Sequence, residues 1–299
     1  MTAYIEAHRD QFGVGPICRV LSDAGVPAAA STHYAARARP PSARSVHDGQ
    51  LAAEIKRVWK DSDEIYGARK VWLQLRREGI PAARCTAGRL MRQRGLRGVR
   101  RGRRTRTTIP AAAASQPPDL VKRNFHAPAP NRLWVAGITY VPIWSGGFAY
   151  VAFVIDAFSR MITGWKAAGH MRTSLALDAL EMAVPARLRA GQQVAGVIHH
   201  SGHGGQYLAI RYTTRLAQAG AIASAGTAGD SCDNALAETI IGLYKAELIH
   251  RRGPWKTLAG LEAATAWWVS WFNHRRLYGP LGDIPPAEYE QNWQDGQMP

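Results

Sequence analysis

The sequence predicts an α/β domain, built on a mixed five-stranded sheet with flanking helices, preceded by a small all-α domain. Two observations predict this division. Up to about residue 94, apolar residues recur at the spacing of amphipathic helices, whereas from residue 133 three runs rich in β-branched and aromatic residues are separated by short turns. Helical and strand-like segments then alternate along the remaining chain, which is typical of an α/β architecture.

Helical patterns fill the first part of the chain. Short helical pieces are predicted from residue 4 to about Tyr34, and the segment Arg39-Pro40-Pro41-Ser42 interrupts them because proline cannot continue a helix. Three further helices are predicted at about 46–60, 67–78 and 86–94. Three short helices separated by tight turns are typical of a helix-turn-helix type of module.

The positive charge of the chain is concentrated in this first part. Residues 1–130 contain 24 Lys and Arg against 10 Asp and Glu, a net charge of +14, whereas residues 131–299 contain 14 against 12, a net charge of +2. Such a distribution favours a polyanionic partner, most commonly nucleic acid. The alternative is a solvated basic surface that only aids solubility.

An arginine-rich stretch follows the predicted helix-turn-helix region. Eight of its fifteen residues are arginines, namely Arg92, Arg94, Arg97, Arg100, Arg101, Arg103, Arg104 and Arg106. A guanidinium grips a phosphate in a fork geometry, so a flexible arm of this kind suits groove or backbone contacts to duplex DNA. The alternative is a charged linker that contacts nothing. A Pro/Ala-rich connector at 110–118 then marks a domain boundary.

These features divide the chain into four predicted parts: an N-terminal helical segment (1–42), a helix-turn-helix-like region with the arginine-rich arm (43–108), a linker (109–128) and an α/β domain with C-terminal helices (129–299). In the last part, strands are predicted at 133–144, 148–158, 161–167, 196–201 and 221–226, and helices at 175–189, 207–219, 233–250 and 258–274. The first three strands form an antiparallel meander and the fourth runs parallel to the first. This order is that of a ribonuclease-H-like fold.

Two classes of protein are unexpected for this sequence. No uninterrupted apolar run approaches eighteen residues, which argues against a membrane-spanning protein, and the N-terminus lacks the pattern of a secretory signal. The three cysteines, Cys18, Cys85 and Cys232, show no disulfide or zinc-site spacing, so a reducing cytoplasm is expected.

Several segments of the α/β domain carry a specific resemblance. PNRLWVAGITYV, AFVIDAFSRMITGW, VIHHSGHGGQY, GDSCDNALAETIIGLYK and WFNHRRLYGPLGDIPPAEYE resemble the integrase-type domain of bacterial insertion-sequence transposases, in particular the second-frame (orfB) products. The segment GARKVWLQLRREGI and the ARCT and RLMRQRGLRG motifs resemble the helix-turn-helix region that precedes that domain. The resemblance spans nearly the whole chain.

This resemblance implies a polynucleotidyl transferase of the DDE type, in which two Asp and one Glu hold two Mg²⁺ or Mn²⁺ ions. Hard divalent cations require anionic oxygen ligands, and the pair of ions stabilises the attacking and leaving oxygens. The resemblance also implies two partners: duplex DNA, as terminal inverted repeats and target, and the first-frame (orfA) product. It further implies a homo-oligomer on DNA and a bacterial, nucleoid-associated location.

The sequence departs from the family pattern at both aspartates. The family's W-x-x-D-x-T-Y reads Trp134 to Tyr140 here, with Gly137 at the Asp position, and its H-H-S-D-x-G-x-Q-Y reads His199 to Tyr207, with Gly202 at the Asp position. Glu238, in DNALAE, is the remaining acid, and 35 residues separate it from Gly202, which is the family's spacing. We therefore expect an incomplete metal site and little or no catalytic activity.

Several other residues are also candidates for a structural or functional role. Asp156 is interpreted as a turn anchor and Asp233 as a helix N-cap. His199, His200 and His203 could together bind a softer metal such as Zn²⁺, but His199 and His200 are expected to pack and hydrogen-bond at the strand end instead. Lys245, two turns after Glu238, is a candidate phosphate contact, although its spacing is also common on a solvated helix. Arg275 and Arg276 are further candidate phosphate contacts. The tryptophans Trp267, Trp268 and Trp271 are interpreted as core or docking residues.

Three hypotheses remain open at this point. The chain is a transposase-family protein that keeps DNA affinity but has lost catalysis, or a non-enzymatic DNA-binding regulator or inhibitor on an integrase scaffold, or a working transposase in which the two glycines are errors or engineered changes.

Overall fold

The computed structural model describes residues 1–100, 117–144, 146–202, 204–226 and 231–297. Arg101, Arg103, Arg104 and Arg106 of the predicted arm, together with His203 and Asp230, lie outside the described residues. Among the residues that are described, no helix is both long enough and apolar enough to cross a membrane.

Six helices precede the sheet in the described chain. They are α1 (Thr2–Phe12), α2 (Val14–Asp23), α3 (Ala30–Ala38), α4 (Ala43–Asp61), α5 (Ala68–Arg77) and α6 (Arg84–Gln93). The first three surround a small core of their own, formed by Ile5, Val14, Ile17 and Cys18. As predicted, the chain around Pro40 and Pro41 separates them from α4, which begins after Ser42; the Ser42 hydroxyl accepts a hydrogen bond from the N–H of Ser45.

Helices α4, α5 and α6 form the predicted helix-turn-helix-like region. Their inward apolar residues (Leu51, Ile55, Val58, Val71, Leu75, Ala87, Leu90 and Met91) are buried together. The same hydrophobic cluster continues into the α/β domain. The hydroxyl of Tyr66 accepts a hydrogen bond from the N–H of Leu277 (2.7 Å), and Arg77 forms an ion pair with Glu288 (2.6 Å). The helical region is therefore packed directly against the C-terminal part of the chain.

The α/β domain contains a five-stranded sheet, ordered β3-β2-β1-β4-β5. The strands are β1 (Leu133–Ile143), β2 (Gly147–Asp156), β3 (Ile162–Ala168), β4 (Ile198–Ser201) and β5 (Ile222–Ala225). The first three form an antiparallel meander, while β4 pairs in parallel with β1 and β5 in parallel with β4. This arrangement confirms the predicted mixed sheet and ribonuclease-H-like fold.

Helices cover both faces of the sheet. They are α7 (Thr173–Arg189), α8 (Gly205–Leu208), α9 (Ile210–Gln218), α10 (Ala235–Tyr244), α11 (His250–Arg252), α12 (Leu258–His274) and α13 (Pro286–Gln294). Because side chains alternate along a strand, Trp134 and Ala136 of β1 face the core that contains α7 and α9, whereas Val135 and Val141 face the core that contains α10 and α12.

The predicted helix over 233–250 is not continuous. It consists of α10, a π-helical turn (Lys245–Ile249) and α11, and it is preceded by a 3₁₀ turn over Ser231–Asn234. The wider π turn adds a residue to the ordinary helical repeat, which changes the face that the following side chains present. Glu247, inside this turn, is buried.

Part of the predicted arm and part of the predicted linker are packed against the protein. The N–H of Val99 donates to the carbonyl of Ile65 (3.0 Å), and Trp59 Nε1 donates to the carbonyl of Arg97 (3.0 Å). In the segment assigned to the linker, Val121 and Ala127 are buried in the main core. Apolar side chains at these places dock the backbone, which the arginine and proline content of the two segments does not reveal.

Candidate active site

Gly137 and Gly202, which are predicted to stand at the family's Asp positions, lie close to each other: Gly137 is in β1 and Gly202 directly follows β4. The parallel register of β1 and β4 pairs Ala136 with Ser201, and the chain continues on the two strands to Gly137 and Gly202. A Cβ atom added to Gly137 would lie 3.8 Å from Nδ2 of Asn234, and one added to Gly202 would lie 3.7 Å from the same atom. The fold therefore brings both positions to one side chain at the start of α10.

Asn234 joins the strand to the helix at this point. It is the N-cap residue of α10, and its Nδ2 donates a hydrogen bond to the carbonyl of Ala136 (2.8 Å). Its Oδ1 is buried and accepts no hydrogen bond from the described residues. Glu238 lies four residues later, in the first turn of α10, and is half-buried. One helical turn separates residues i and i+4, so Glu238 stands on the same helix face as Asn234.

Apolar groups occupy the space around Gly137. An added Cβ there would lie 2.9 Å from Cδ1 of Ile241 and 3.3 Å from Cβ of Ala237. Around Gly202, by contrast, Asn234 is the only neighbour of an added Cβ within 4 Å among the described residues. Room for a side chain therefore exists at Gly202, while at Gly137 the end of the Ile241 side chain would have to move.

The donor set at this place does not fit a pair of Mg²⁺ or Mn²⁺ ions. Such ions require several oxygen ligands, mostly anionic, whereas the described residues of the site offer the Glu238 carboxylate and the neutral amide of Asn234. In the described part of the chain, no group of three His, Cys, Asp or Glu side chains is arranged to hold a metal ion.

The two histidines of β4 are buried and make the structural contacts that were predicted. Nε2 of His199 lies 3.0 Å from the hydroxyl of Tyr212, and Nδ1 of His200 lies 2.9 Å from the hydroxyl of Ser224. Nε2 of His200 lies 2.7 Å from the carbonyl of Asp233. Burial lowers the pKa of His199 to about 4, because a charged imidazole would lose its hydration there.

The structure confirms the prediction for Asp156 and contradicts the one for Asp233. Asp156 is fully buried and accepts hydrogen bonds from the N–H groups of Asn131 (2.7 Å), Phe158 (2.8 Å) and Ser159, which confirms its interpretation as a turn anchor. The interpretation of Asp233 was wrong: Asn234 is the N-cap, and the Asp233 carboxylate pairs with Arg123 (2.7 Å). The Asn234 side chain makes no capping hydrogen bond and instead binds the carbonyl of Ala136, so the usual N-cap preference of Asn does not explain its place.

Lys245 lies at the beginning of the π turn and is half-buried. Its Nζ lies 4.4 Å from the centroid of the Tyr140 ring, on β1. Burial lowers the pKa of this amine. The lysine is thus held beside the strand that carries Gly137, three residues before Tyr140.

The neighbours Arg275 and Arg276 differ in a way that their sequence does not reveal. Arg275 is exposed. Arg276 is 4% exposed, and its Nε lies 3.0 and 3.1 Å from the two carboxylate oxygens of Glu247. The prediction that Arg276 contacts phosphate is corrected by this placement, since the guanidinium is buried and paired in the interior. The tryptophan predictions are confirmed for Trp268 and Trp271, which are buried.

Two groups of described arginines in the helical region differ in their partners. Arg57, Arg69, Arg77 and Arg89 form ion pairs with acidic residues of the chain. Arg92, Arg94, Arg97 and Arg100 are exposed and make no ion pair within the described residues. Arg92 donates to the carbonyl of Gly88. The second group includes every described arginine of the predicted arm.

Comparison with known proteins shows which domains the chain resembles. Residues 127–231 and 220–286 match two family models described as integrase core domain, and residues 47–104 match one described as an HTH-like domain. A transposase named for insertion sequence element IS986/IS6110 of Mycobacterium tuberculosis (strain ATCC 25177 / H37Ra) is 54% identical over 266 residues, which covers 89% of this chain and 95% of the relative. The transposase for insertion sequence element IS629 of Shigella sonnei is 48% identical over 296 residues, covering 97% and 96%.

One solved structure has a weaker similarity. The HTLV-2 integrase catalytic core domain in complex with magnesium is 14% identical to this chain, with a TM-score of 0.41. The match covers 55% of this chain and 99% of the integrase chain. The two curated relatives, by contrast, match along nearly their whole length. The chain belongs to the insertion-sequence transposases that combine a helix-turn-helix-like domain with an integrase core domain.

Proposed function

We propose that this chain is a DNA-binding transposase-family protein whose integrase core has lost polynucleotidyl transfer. The observation that carries the proposal is the convergence of Gly137 and Gly202 on Asn234, one turn before Glu238. The positions assigned to the two family aspartates lie where metal ligands would have to meet, and neither has a side chain. One carboxylate cannot orient two divalent ions at about 3.5–4 Å from each other, so the step that they would assist is lost.

The DNA-binding part of the proposal is supported by the helical region. Arg94, Arg97 and Arg100 are exposed and free of ion pairs with described acids, whereas the arginines facing the chain's own carboxylates are neutralised. Exposed guanidinium groups such as those of Arg94, Arg97 and Arg100 can neutralise DNA phosphates and release the counterions bound to them. We propose duplex DNA, with terminal inverted repeats and a target sequence, as the partner, together with an orfA product and a homo-oligomer formed on DNA.

The test is a Mg²⁺- and Mn²⁺-dependent cleavage and joining assay on duplexes that carry the element's terminal repeats. We compare the unaltered chain with Gly137→Asp/Gly202→Asp and with the matched amide variant Gly137→Asn/Gly202→Asn. We expect no joining by the unaltered chain or the amide variant. Joining by the double Asp variant, abolished by adding Glu238→Gln, supports loss at these two positions. Robust joining by the unaltered chain contradicts the proposal.

A regulatory role is the second candidate, favoured by one observation. The helical region remains joined to the core through a shared hydrophobic cluster and through ion pairs such as Arg69–Asp283 and Arg77–Glu288. A chain that keeps this architecture without catalysis would occupy DNA ends in competition with active copies. Mixing it with an active relative should then reduce joining in proportion to its concentration, and a variant with weakened DNA binding should not.

A further inference from the structure

Large aromatic side chains are exposed at one end of the β1–β2 hairpin. Trp144, directly after β1, is 72% exposed, and Phe148, at the start of β2, is 50% exposed. Phe148 packs its ring against Tyr140 at a centroid distance of 5.2 Å, in an edge-to-face arrangement. Tyr140 and Trp144 are four residues apart along an extended chain, and Phe148 pairs with Pro142 between them, so the three lie on one face. We call Tyr140, Trp144 and Phe148 the hairpin face.

The surroundings of the hairpin face are cationic. Lys245 Nζ lies 4.4 Å from the Tyr140 ring centroid. On the other side, the N–H of Trp144 donates to the carbonyl of Trp255 (2.8 Å), and Ile143 forms a parallel bridge with Trp255, which places exposed Lys256 beside Trp144. The sequence contains no Asp or Glu in 139–152 or in 253–257. An exposed aromatic surface bordered by two lysines and lacking acids is therefore complementary to an anion that has flat apolar faces.

The hairpin face is also close to the candidate active site along β1, although positions 137 and 140 point to opposite faces of the sheet. Strand β1 carries Gly137 and Tyr140, three residues apart, and α10 leads from Glu238 to Lys245. At about 3.3 Å per strand residue, Tyr140 lies on the order of 10 Å along β1 from Gly137. The distance between the two places is thus only a few nucleotides of an extended strand.

We propose that the hairpin face binds single-stranded DNA, with bases stacking on Trp144 and Phe148 and phosphates beside Lys245 and Lys256. This inference rests on the proposed function, since it requires that the chain binds DNA. A base offers its π-face to an aromatic side chain only when it is not stacked and paired in a duplex, so the ligand is a single strand. The sequence tolerance of such stacking fits a surface that has no amide or carboxylate to read base edges.

The test measures binding of the full chain to a fluorescein-labelled dT15 strand and to a 15-base-pair duplex by anisotropy. Trp144→Ala removes a side chain that is mostly in solvent, so folding is unaffected. Trp267→Ala is the matched control, because Trp267 is also a partly exposed tryptophan (39%) but lies on α12, stacked on Trp271. Base stacking on an aromatic residue corresponds to a loss of about fivefold or more in affinity when the residue is removed. We expect that loss for dT15 with Trp144→Ala, an unchanged salt slope, unchanged duplex binding, and no effect of Trp267→Ala.

Each other outcome overturns the inference. Unchanged dT15 affinity of Trp144→Ala, or an equal loss with Trp267→Ala, shows that the hairpin face does not stack bases. Equal losses for dT15 and duplex place Trp144 in the duplex surface instead. A change in the sedimentation of the DNA-free chain on Trp144→Ala, without a change in dT15 affinity, identifies a contact between copies. In all of these cases retained duplex binding leaves the proposed function standing, whereas a chain that binds neither DNA contradicts both.

Discussion

The guanidinium of Arg276 and the carboxylate of Glu247 form a buried ion pair in which Nε of Arg276 lies within hydrogen-bond distance of both carboxylate oxygens. Each partner is about 4% exposed. Trp268 contributes a further contact, with its Nε1 lying 3.3 Å from Oε2 of Glu247. The pair joins the π turn after α10 to the segment that follows α12. It therefore ties the helix that carries Glu238 to the C-terminal part of the domain.

Replacing Arg276 should destabilise the fold, and replacing its neighbour should not. Arg276→Ala leaves the Glu247 carboxylate buried without its partner, which typically costs about 3–5 kcal/mol. Arg275→Ala removes an exposed side chain and should change the free energy of unfolding by about 0.5 kcal/mol or less. Urea denaturation followed by circular dichroism measures both. Similar unfolding free energies for the two variants would contradict the placement of Arg276 in the interior.

The contrast between these two arginines shows what the sequence could and could not predict. The strands were predictable because β-branched and aromatic runs recur between turns, and the parallel pairing of β4 with β1 was predictable from the short apolar run of β4, whereas its register was not. The burial of Arg276 depends on Glu247, 29 residues away and turned inward by a π turn that no local pattern indicates.

The candidate site was predictable in part for the same reason. The motif spacing identified Gly137, Gly202 and Glu238, but the packing between strand and helix decides what surrounds them. Ile241 and Asn234, which border the two glycines, carry no motif signal as neighbours of β1. Asp233 was chosen as the N-cap because its side chain suits that role, yet the 3₁₀ turn before α10 places Asn234 there instead.

The stability of the fold should fall in mild acid because of His199. Its pKa is lowered to about 4 in the folded chain, against 6.5 for an unperturbed histidine. Between pH 6.5 and 4 the unfolded chain therefore binds more protons, so the free energy of unfolding decreases as the pH falls through this range. The difference between the two pKa values corresponds to a loss of about 3 kcal/mol in the free energy of unfolding once the pH is below both values.

His199→Gln should remove this part of the pH dependence. The measurement is the free energy of unfolding from urea titrations at several pH values between 4 and 7. His170→Gln, which changes an exposed histidine after β3, is the control and should leave the profile unchanged. A His199→Gln profile as steep as that of the unaltered chain would exclude His199 as the cause.

DNA binding by the described part of the arm should depend strongly on salt. Arg94→Gln/Arg97→Gln/Arg100→Gln removes three exposed cations without disturbing Leu96 or Val99, which pack on the helical region. Each lost phosphate contact should reduce the slope of log affinity against log salt concentration by about 0.9. The comparison variant is Arg57→Gln, whose guanidinium is occupied by Glu54. An unchanged slope in the triple variant would assign these arginines to a linker.

The two glycines should respond differently to the smallest possible side chain. At Gly202 an added Cβ meets, among the described residues, only Asn234 at van der Waals distance, and the backbone angle is compatible with alanine. Gly202→Ala should therefore stabilise the fold by about 0.4–1 kcal/mol through reduced unfolded-state entropy. At Gly137 the added atom lies 2.9 Å from Cδ1 of Ile241, and Ala237 is also close. Overpacking of this kind costs about 1–3 kcal/mol, which exceeds the entropic gain that alanine also brings at position 137, so Gly137→Ala should lower the free energy of unfolding.

The packing around Gly137 also determines how an aspartate can be introduced there. Ile241→Val shortens the side chain that obstructs position 137, so it should recover stability in a Gly137→Ala background by more than it changes the unaltered chain. Unfolding free energies of the four chains of this double-mutant cycle measure the coupling. A coupling near zero would mean that Ile241 does not fill the space left by the missing side chain. A favourable coupling would mean that reintroducing both acids requires Ile241→Val alongside Gly137→Asp, because Gly202 already has the room.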